Sequence, residues 1–262
     1  MMRYMLNKNG LKVAFVVLLF VGGYLLKHQD RVLAILFPEK IWVHRVNSIK
    51  KLQDVQSGPY RGIELDLIFE KGKLMVNHGE SDEVLCLYDY LKHLKDLDLH
   101  LWLDMKNLQV ENSAVISAHL DSICLHFGLD KAHIIVESQE VKSLRVFREK
   151  QYLTSYYLPG GLYQKNENER RGLINQMKAS LVTYPTDYVS FDRHDYGLVK
   201  PFFPDQKCLT WGFYTWGFYS EEPLSIKGLL RSVPDVVRKI KMLSDEEVQV
   251  LLVSYNSEGG NT

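Results

Sequence analysis

The chain has 262 residues, 46% of them hydrophobic, and its 32 basic and 32 acidic side chains cancel. That is enough apolar content for one large core, and the balanced charge excludes a polyanion-binding surface and so nucleic acid as a partner. Three cysteines, Cys86, Cys124 and Cys208, are odd in number and lack a CxxC pair. They exclude a disulfide framework and a zinc–cysteine site and read as buried apolar thiols.

The first 40 residues differ from the rest. Arg3, Lys8 and Lys12 precede an uninterrupted apolar run, Val13 to Leu26, which Lys27, His28 and Arg31 follow. The run is short for a membrane span and near the length of a signal-peptide core. No A-x-A-like cleavage site follows it, and Lys12 can snorkel so that Leu11 lengthens it. The reading is a retained transmembrane anchor, with a secreted protein as the outcome if it is cleaved and a buried barrel helix as the structural alternative. The basic leader places residues 41–262 on the extracytoplasmic side of a single-pass membrane protein. VLAILF, Val32 to Phe37, is interfacial or covers the bottom of the following domain.

From Ile41 on, short apolar runs alternate with stretches of helical period, the pattern of a parallel sheet with crossover helices. Strands are predicted at 41–46, 62–69, 99–106, 133–138, 152–158, 188–192, 207–213 and 248–254. Helices are predicted near 47–57, 82–96, 110–127, 139–149, 166–180, 194–203 and 222–243. KLMVNH (73–78) is a further extended piece after a Lys-Gly turn. Eight such strands close most simply into a (β/α)8 TIM-type barrel, one domain over 41–262 behind the N-terminal transmembrane helix. A doubly wound open sheet is the competitor, but no Gly-rich phosphate loop follows the first strand.

A barrel of this kind carries its site at the carboxyl ends of the strands. His44 stands near the end of the first strand. Glu64 and Asp66 share one face of the second, because side chains two apart point the same way. His78 follows the 73–78 piece, Asp104 and Lys106 repeat the two-residue spacing, and Glu137 ends the fourth strand. Two carboxylates on one face, joined by a third from the next strand, repel one another without a cation. Oxygen-only donors suit Mg²⁺ or Ca²⁺. Histidines beside such a site can act as general base and general acid.

HR at 44–45, ELD at 64–66, NH at 77–78 and LDMK at 103–106 resemble the glycerophosphodiester phosphodiesterase pattern of the phospholipase C-like barrels. HRVNS (44–48), SDEVLCLYDYL (81–91) and LDMKNL (103–108) are similar to stretches of the menorin family, a branch of that superfamily. The resemblance implies a divalent metal on Glu64, Asp66 and Asp104, with His44 and His78 as the acid–base pair. It also implies phosphate contacts from Arg45 and Lys106. Val46 stands where glycine is usual, Gly79 replaces an acid, Asp104 replaces glutamate, and the C-terminal Gly-x-x-x-TD stretch is missing. These departures bear on glycerol-based substrates more than on the metal.

Other readings stand beside these. Glu64 and Asp66 can form interior ion pairs with Arg45 and Lys106 instead of holding metal. Glu137 is either an auxiliary ligand at the substrate site or a partner of Lys106. Asp192, beside Arg193 and His194, reads as a loop ion pair. Trp211, in the near-duplicated WGFYTWGFY, can line a substrate-binding mouth. The expected activity is hydrolysis or transfer of a phosphodiester, a small molecule or a lipid headgroup. The alternative is an inactive envelope barrel that binds a phospho-ligand or a partner protein.

Overall fold

The computed structural model describes Gly22 and residues 28–77, 85–213 and 226–254. In chain order, α1 (Gln29–Leu36) leads to β1 (Ile41–His44), α2 (Ile49–Gln56) and β2 (Gly62–Glu70). A side arm follows: β3 (Lys73–Val76), β4 (Leu85–Cys86) and α3 (Leu87–Leu91). Then come β5 (His100–Met105), α4 (Val110–Phe127), β6 (Ile134–Ser138), α5 (Arg145–Glu149), β7 (Leu153–Tyr157) and α6 (Glu167–Thr183). β8 (Tyr188–Asp192), α7 (Tyr196–Val199), β9 (Cys208–Phe213), α8 (Ile226–Leu243) and β10 (Val248–Ser254) complete it.

Strands β1, β2 and β5 to β10 are parallel neighbours, and β1 closes the ring by pairing with both β10 and β2. The eight predicted strands are these eight, which excludes the open sheet. Within the 73–78 piece, Lys73–Val76 form β3, antiparallel to the upper half of β2, with β4 outside it, and His78 lies outside the described residues. Alternation along the strands makes two cores. Ile41, Val43, Ile63, Leu65, Leu101 and Leu103 belong to the large layer beneath the helices. Trp42, Trp102, Ile135, Leu209, Val250 and Leu252 fill the barrel interior. The interior closes tightly on Gly62, where a Cβ would come within 2.2 Å of the Trp42 ring.

The helices start where side chains can cap them. Ser48 accepts from Lys51 N ahead of α2 (3.2 Å), and Asn166 and Glu169 form a reciprocal box at α6. α4 ends on Gly128 at φ 68, a left-handed cap that glycine adopts without strain. The predicted 194–203 helix is only α7 flanked by 3₁₀ turns, because Asp192 accepts from His194 N (2.8 Å) and bends the chain first. The 82–96 stretch contains α3, and residues 78–84 lie outside the described set.

The predicted anchor, Val13 to Leu26, lies outside the described residues except for Gly22. Among the described residues no helix is long and apolar enough to cross a membrane. VLAILF falls in α1 and its cap, where Leu33 and Ala34 are buried while Ile35 and Leu36 remain exposed. Cys124 and Cys208 are buried and Cys86 partly so, and all three are free thiols.

Candidate active site

On β1, β2, β5 and β6 the interior face carries polar side chains at the mouth: His44, Glu64 and Asp66, Asp104, and Glu137. On β2, Glu64 and Asp66 point inward, with Asp66 in register with Asp104 of β5 and Asp104 with Glu137 of β6. All four carboxylates are buried. One carboxylate oxygen each from Glu64, Asp66 and Asp104 lies within 4.8 Å of the other two. The spacing read from sequence is thus realised as a cluster. An all-oxygen, acidic donor set converging at this range fits a hard divalent cation.

Asp66 is the hub. Asn47 Nδ2 donates to its Oδ2 (2.6 Å), Lys106 Nζ stands 2.5 Å from its Oδ1, and Arg45 Nε lies 4.0 Å from Oδ2. Lys106 also donates to Asp104 Oδ2, so one ammonium bridges two of the three carboxylates. Asn47 Oδ1 accepts from Asp66 N (3.0 Å), which fixes the side-chain amide by two bonds to the same residue.

Glu64 holds the turn above β1. Its Oε2 accepts from Arg45 N at 2.7 Å, its backbone carbonyl accepts from Val46 N at 2.8 Å, and His44 Nε2 is 3.7 Å from Oε2. Arg45 takes φ 53, a left-handed conformation unusual for a side-chain-bearing residue. Below the turn, Lys51 Nζ donates to the His44 carbonyl (2.8 Å) and Tyr90 Oη to that of Val46 (2.6 Å).

Burial governs the ionisation here. It raises the Glu64 carboxyl well above the usual range, and Asp66 and Asp104 push it further. Asp104 is raised by burial against the opposing pull of Lys106. Glu137 is pushed up to about 8 by burial and by Asp104, while Ser155 Oγ donates to it at 2.9 Å. His44 is lowered to about 3, by burial first and by the Arg45 charge second, so its imidazole is neutral at neutral pH. Lys51 falls to about 8 by burial. A cation bound among these carboxylates would favour the ionised forms of Glu64 and Asp104 that burial opposes.

His44, Arg45, Glu64, Asp66, Asp104 and Lys106 come together, while His78 lies outside the described residues. Glu137 sits beside the cluster, bonded to Ser155 rather than to Lys106. Trp211 is half-buried at the end of β9, edge-on to Tyr157 at 5.5 Å between centroids. Asp192 pairs with His194 Nδ1 at 2.6 Å, the loop pair read from sequence. Sequence reasoning missed the parts played by Asn47, Lys51 and Tyr90. Two of them were inside stretches already singled out, HRVNS and SDEVLCLYDYL, but nothing in those letters says which side chain turns inward.

Comparison of the sequence with protein-family models and with curated proteins gives no match. Comparison of the structure does. A glycerophosphodiester phosphodiesterase from Parabacteroides distasonis is similar at TM-score 0.54 and 13% identity, over 82% of this chain and 92% of that one. A phosphodiesterase from Oleispira antarctica, in complex with the product sn-glycerol-3-phosphate, is similar at TM-score 0.52 and 9% identity, over 82% and 92%. The chain therefore shares the barrel fold of the glycerophosphodiester phosphodiesterases, as the resemblance in its sequence implied. At these identities the likeness is one of fold. The menorin resemblance rests on the sequence stretches alone.

Proposed function

We propose that this protein is a metal-assisted phosphodiester hydrolase or transferase, held at a membrane by its N-terminal apolar run with the barrel on the extracytoplasmic side. The observation that carries the reading is the convergence of Glu64, Asp66 and Asp104 at a barrel mouth, beside Lys106 and Arg45. The same fold in a phosphodiesterase complexed with its phosphate-bearing product supports it, although fold alone assigns no chemistry.

Glu64, Asp66 and Asp104 would hold Mg²⁺ or Ca²⁺. Such an ion, when bound, neutralises charge on the phosphoryl oxygens. Lys106 and Arg45 bind and orient the phosphate, and Trp211 with Tyr157 lines the mouth. His44, whose Nε2 stands 3.7 Å from Glu64 Oε2 at the cluster, takes the proton of the attacking hydroxyl as its oxygen bonds to phosphorus. The phosphorus–oxygen bond to the leaving alcohol breaks, and His78 supplies that alcohol's proton. A small phosphodiester or a lipid headgroup is the substrate class.

The bridging position of Lys106 favours a second reading, in which the ammonium does the cation's work and the barrel only binds a phospho-ligand. The two separate in a thermal unfolding series. Bound metal stabilises by mass action, about 2.7 kcal/mol at a hundred times Kd. Millimolar Mg²⁺ or Ca²⁺ is expected to raise Tm in the wild type and not in Asp66→Asn. Identical curves with metal and with chelator would establish the ion-pair reading.

A further inference from the structure

Two elements that the site leaves unused meet at the floor of the barrel. After α1, the Phe37 carbonyl accepts from Lys40 N (3.0 Å) and Ile41 N (3.2 Å), turning the chain into the amino-terminal end of β1. Lys40 Nζ donates to the carbonyls of Leu243 (3.2 Å) and Asp245 (3.0 Å), where α8 ends and the chain turns toward β10. Asp30 of α1 and Lys239 of α8 pair at 2.5 Å, and the lysine side chain is 0% exposed. These contacts fix α1 at the end of the barrel opposite the mouth.

The outer surface of this helix pair mixes exposed apolar side chains with basic ones. Ile35 is 67% and Leu36 65% exposed on α1; Val237 is 60% and Ile240 45% exposed on α8. Arg31, Arg238 and Lys241 are exposed among them. In sequence only Lys27 and His28 separate the apolar run Val13 to Leu26 from Gln29. At no more than about 3.6 Å per residue, that link keeps α1 within roughly 11 Å of the run's end.

We infer that the floor of the barrel, through Ile35, Leu36, Val237 and Ile240, lies on a lipid bilayer, and that the mouth opens away from it. The inference rests on the proposed reading of Val13 to Leu26 as membrane-embedded. Apolar side chains of this kind settle at the boundary between headgroups and acyl chains, and Arg31 and Lys241 meet anionic headgroups. Glu39 and Glu246, also exposed at this end, oppose that attraction, so the apolar contacts must carry the docking. β10 spans seven residues, and at about 3.3 Å per residue and a tilt of about 36° a strand of that length sets the mouth roughly 16 Å above the floor. The phosphodiester therefore reaches the site from the aqueous side and is not a headgroup of the leaflet that carries the protein.

The test uses the full chain with Cys86→Ser, reconstituted into phosphatidylcholine–phosphatidylglycerol vesicles. Spin labels go singly on Ile35→Cys and Val237→Cys at the floor, and on Tyr163→Cys at the mouth, which is 47% exposed. Labels at 35 and 237 are expected to relax with oxygen and to be shielded from a water-soluble nickel chelate, with the reverse at 163. If the protein floats with vesicles but 35 and 237 meet the chelate, the docking inference fails and the anchor stands. Shielding from both relaxants would mean a contact with a second copy and overturns it too, as would a lipid-buried label at 163. Failure to float overturns the anchor and the inference together.

Discussion

Arg45 sits at φ 53, a conformation that costs a residue with a side chain about 1–2 kcal/mol. It persists because Glu64 pins the turn twice, by its carboxylate to Arg45 N and by its carbonyl to Val46 N. Strain held in place by a candidate ligand is a mark of a built site rather than of an accidental charge cluster. Glu137 shows the other side of that construction. Its carboxyl ordinarily titrates near 4.5 and is pushed up to about 8 by burial and Asp104. The folded state therefore binds its proton more tightly than the unfolded chain does. Its contribution to stability is full below pH 4.5 and is lost as pH rises toward 8. In chelator, the fall in Tm across that window is expected to be shallower in Glu137→Gln than in the wild type. Equal slopes would show that Glu137 is not the group responsible.

At the scale of elements, α3 does more than close the side arm. Tyr90, fully buried, donates to the Val46 carbonyl directly after the strained turn. Tyr90→Phe leaves that buried acceptor unpaired, and urea unfolding is expected to show a loss of about 1–3 kcal/mol. A neutral result would mean the turn holds itself. The strands were legible because a buried parallel strand reads as an apolar run, and GIELDLIF could be nothing else once its acids were placed on one face. That Asp104 joins Asp66 was legible only as spacing; the register that sets them side by side comes from tertiary packing. Asn47 and the conformation of Arg45 were not legible, since an inward-turned amide and a left-handed residue leave no periodic trace. α1 was ambiguous for the same reason: VLAILF is apolar on every side, and only the fold decides that Leu33 goes in and Ile35 out.

For the whole molecule, the Asp30–Lys239 pair joins the two ends of the described chain across the barrel floor. Removing one partner of a buried pair typically costs about 3–5 kcal/mol, because the other charge stays buried and loses that contact. Asp30→Ala is expected to destabilise strongly in urea, and Asp30→Ala with Lys239→Met to recover much of the loss. Equal loss in single and double variants would make α1 a loose appendage and weaken its part in orienting the barrel. At the opposite end, the proposed function has the carboxylates of Glu64, Asp66 and Asp104 hold a cation and His44 move a proton. The direct measurement is turnover of bis(4-nitrophenyl) phosphate together with metal affinity, in the wild type, Asp104→Asn and His44→Ala. Asp104→Asn is expected to lose both, and His44→Ala to lose roughly 10²–10⁴-fold in turnover while keeping its metal. Metal-independent hydrolysis, or full turnover in His44→Ala, would contradict the proposed function.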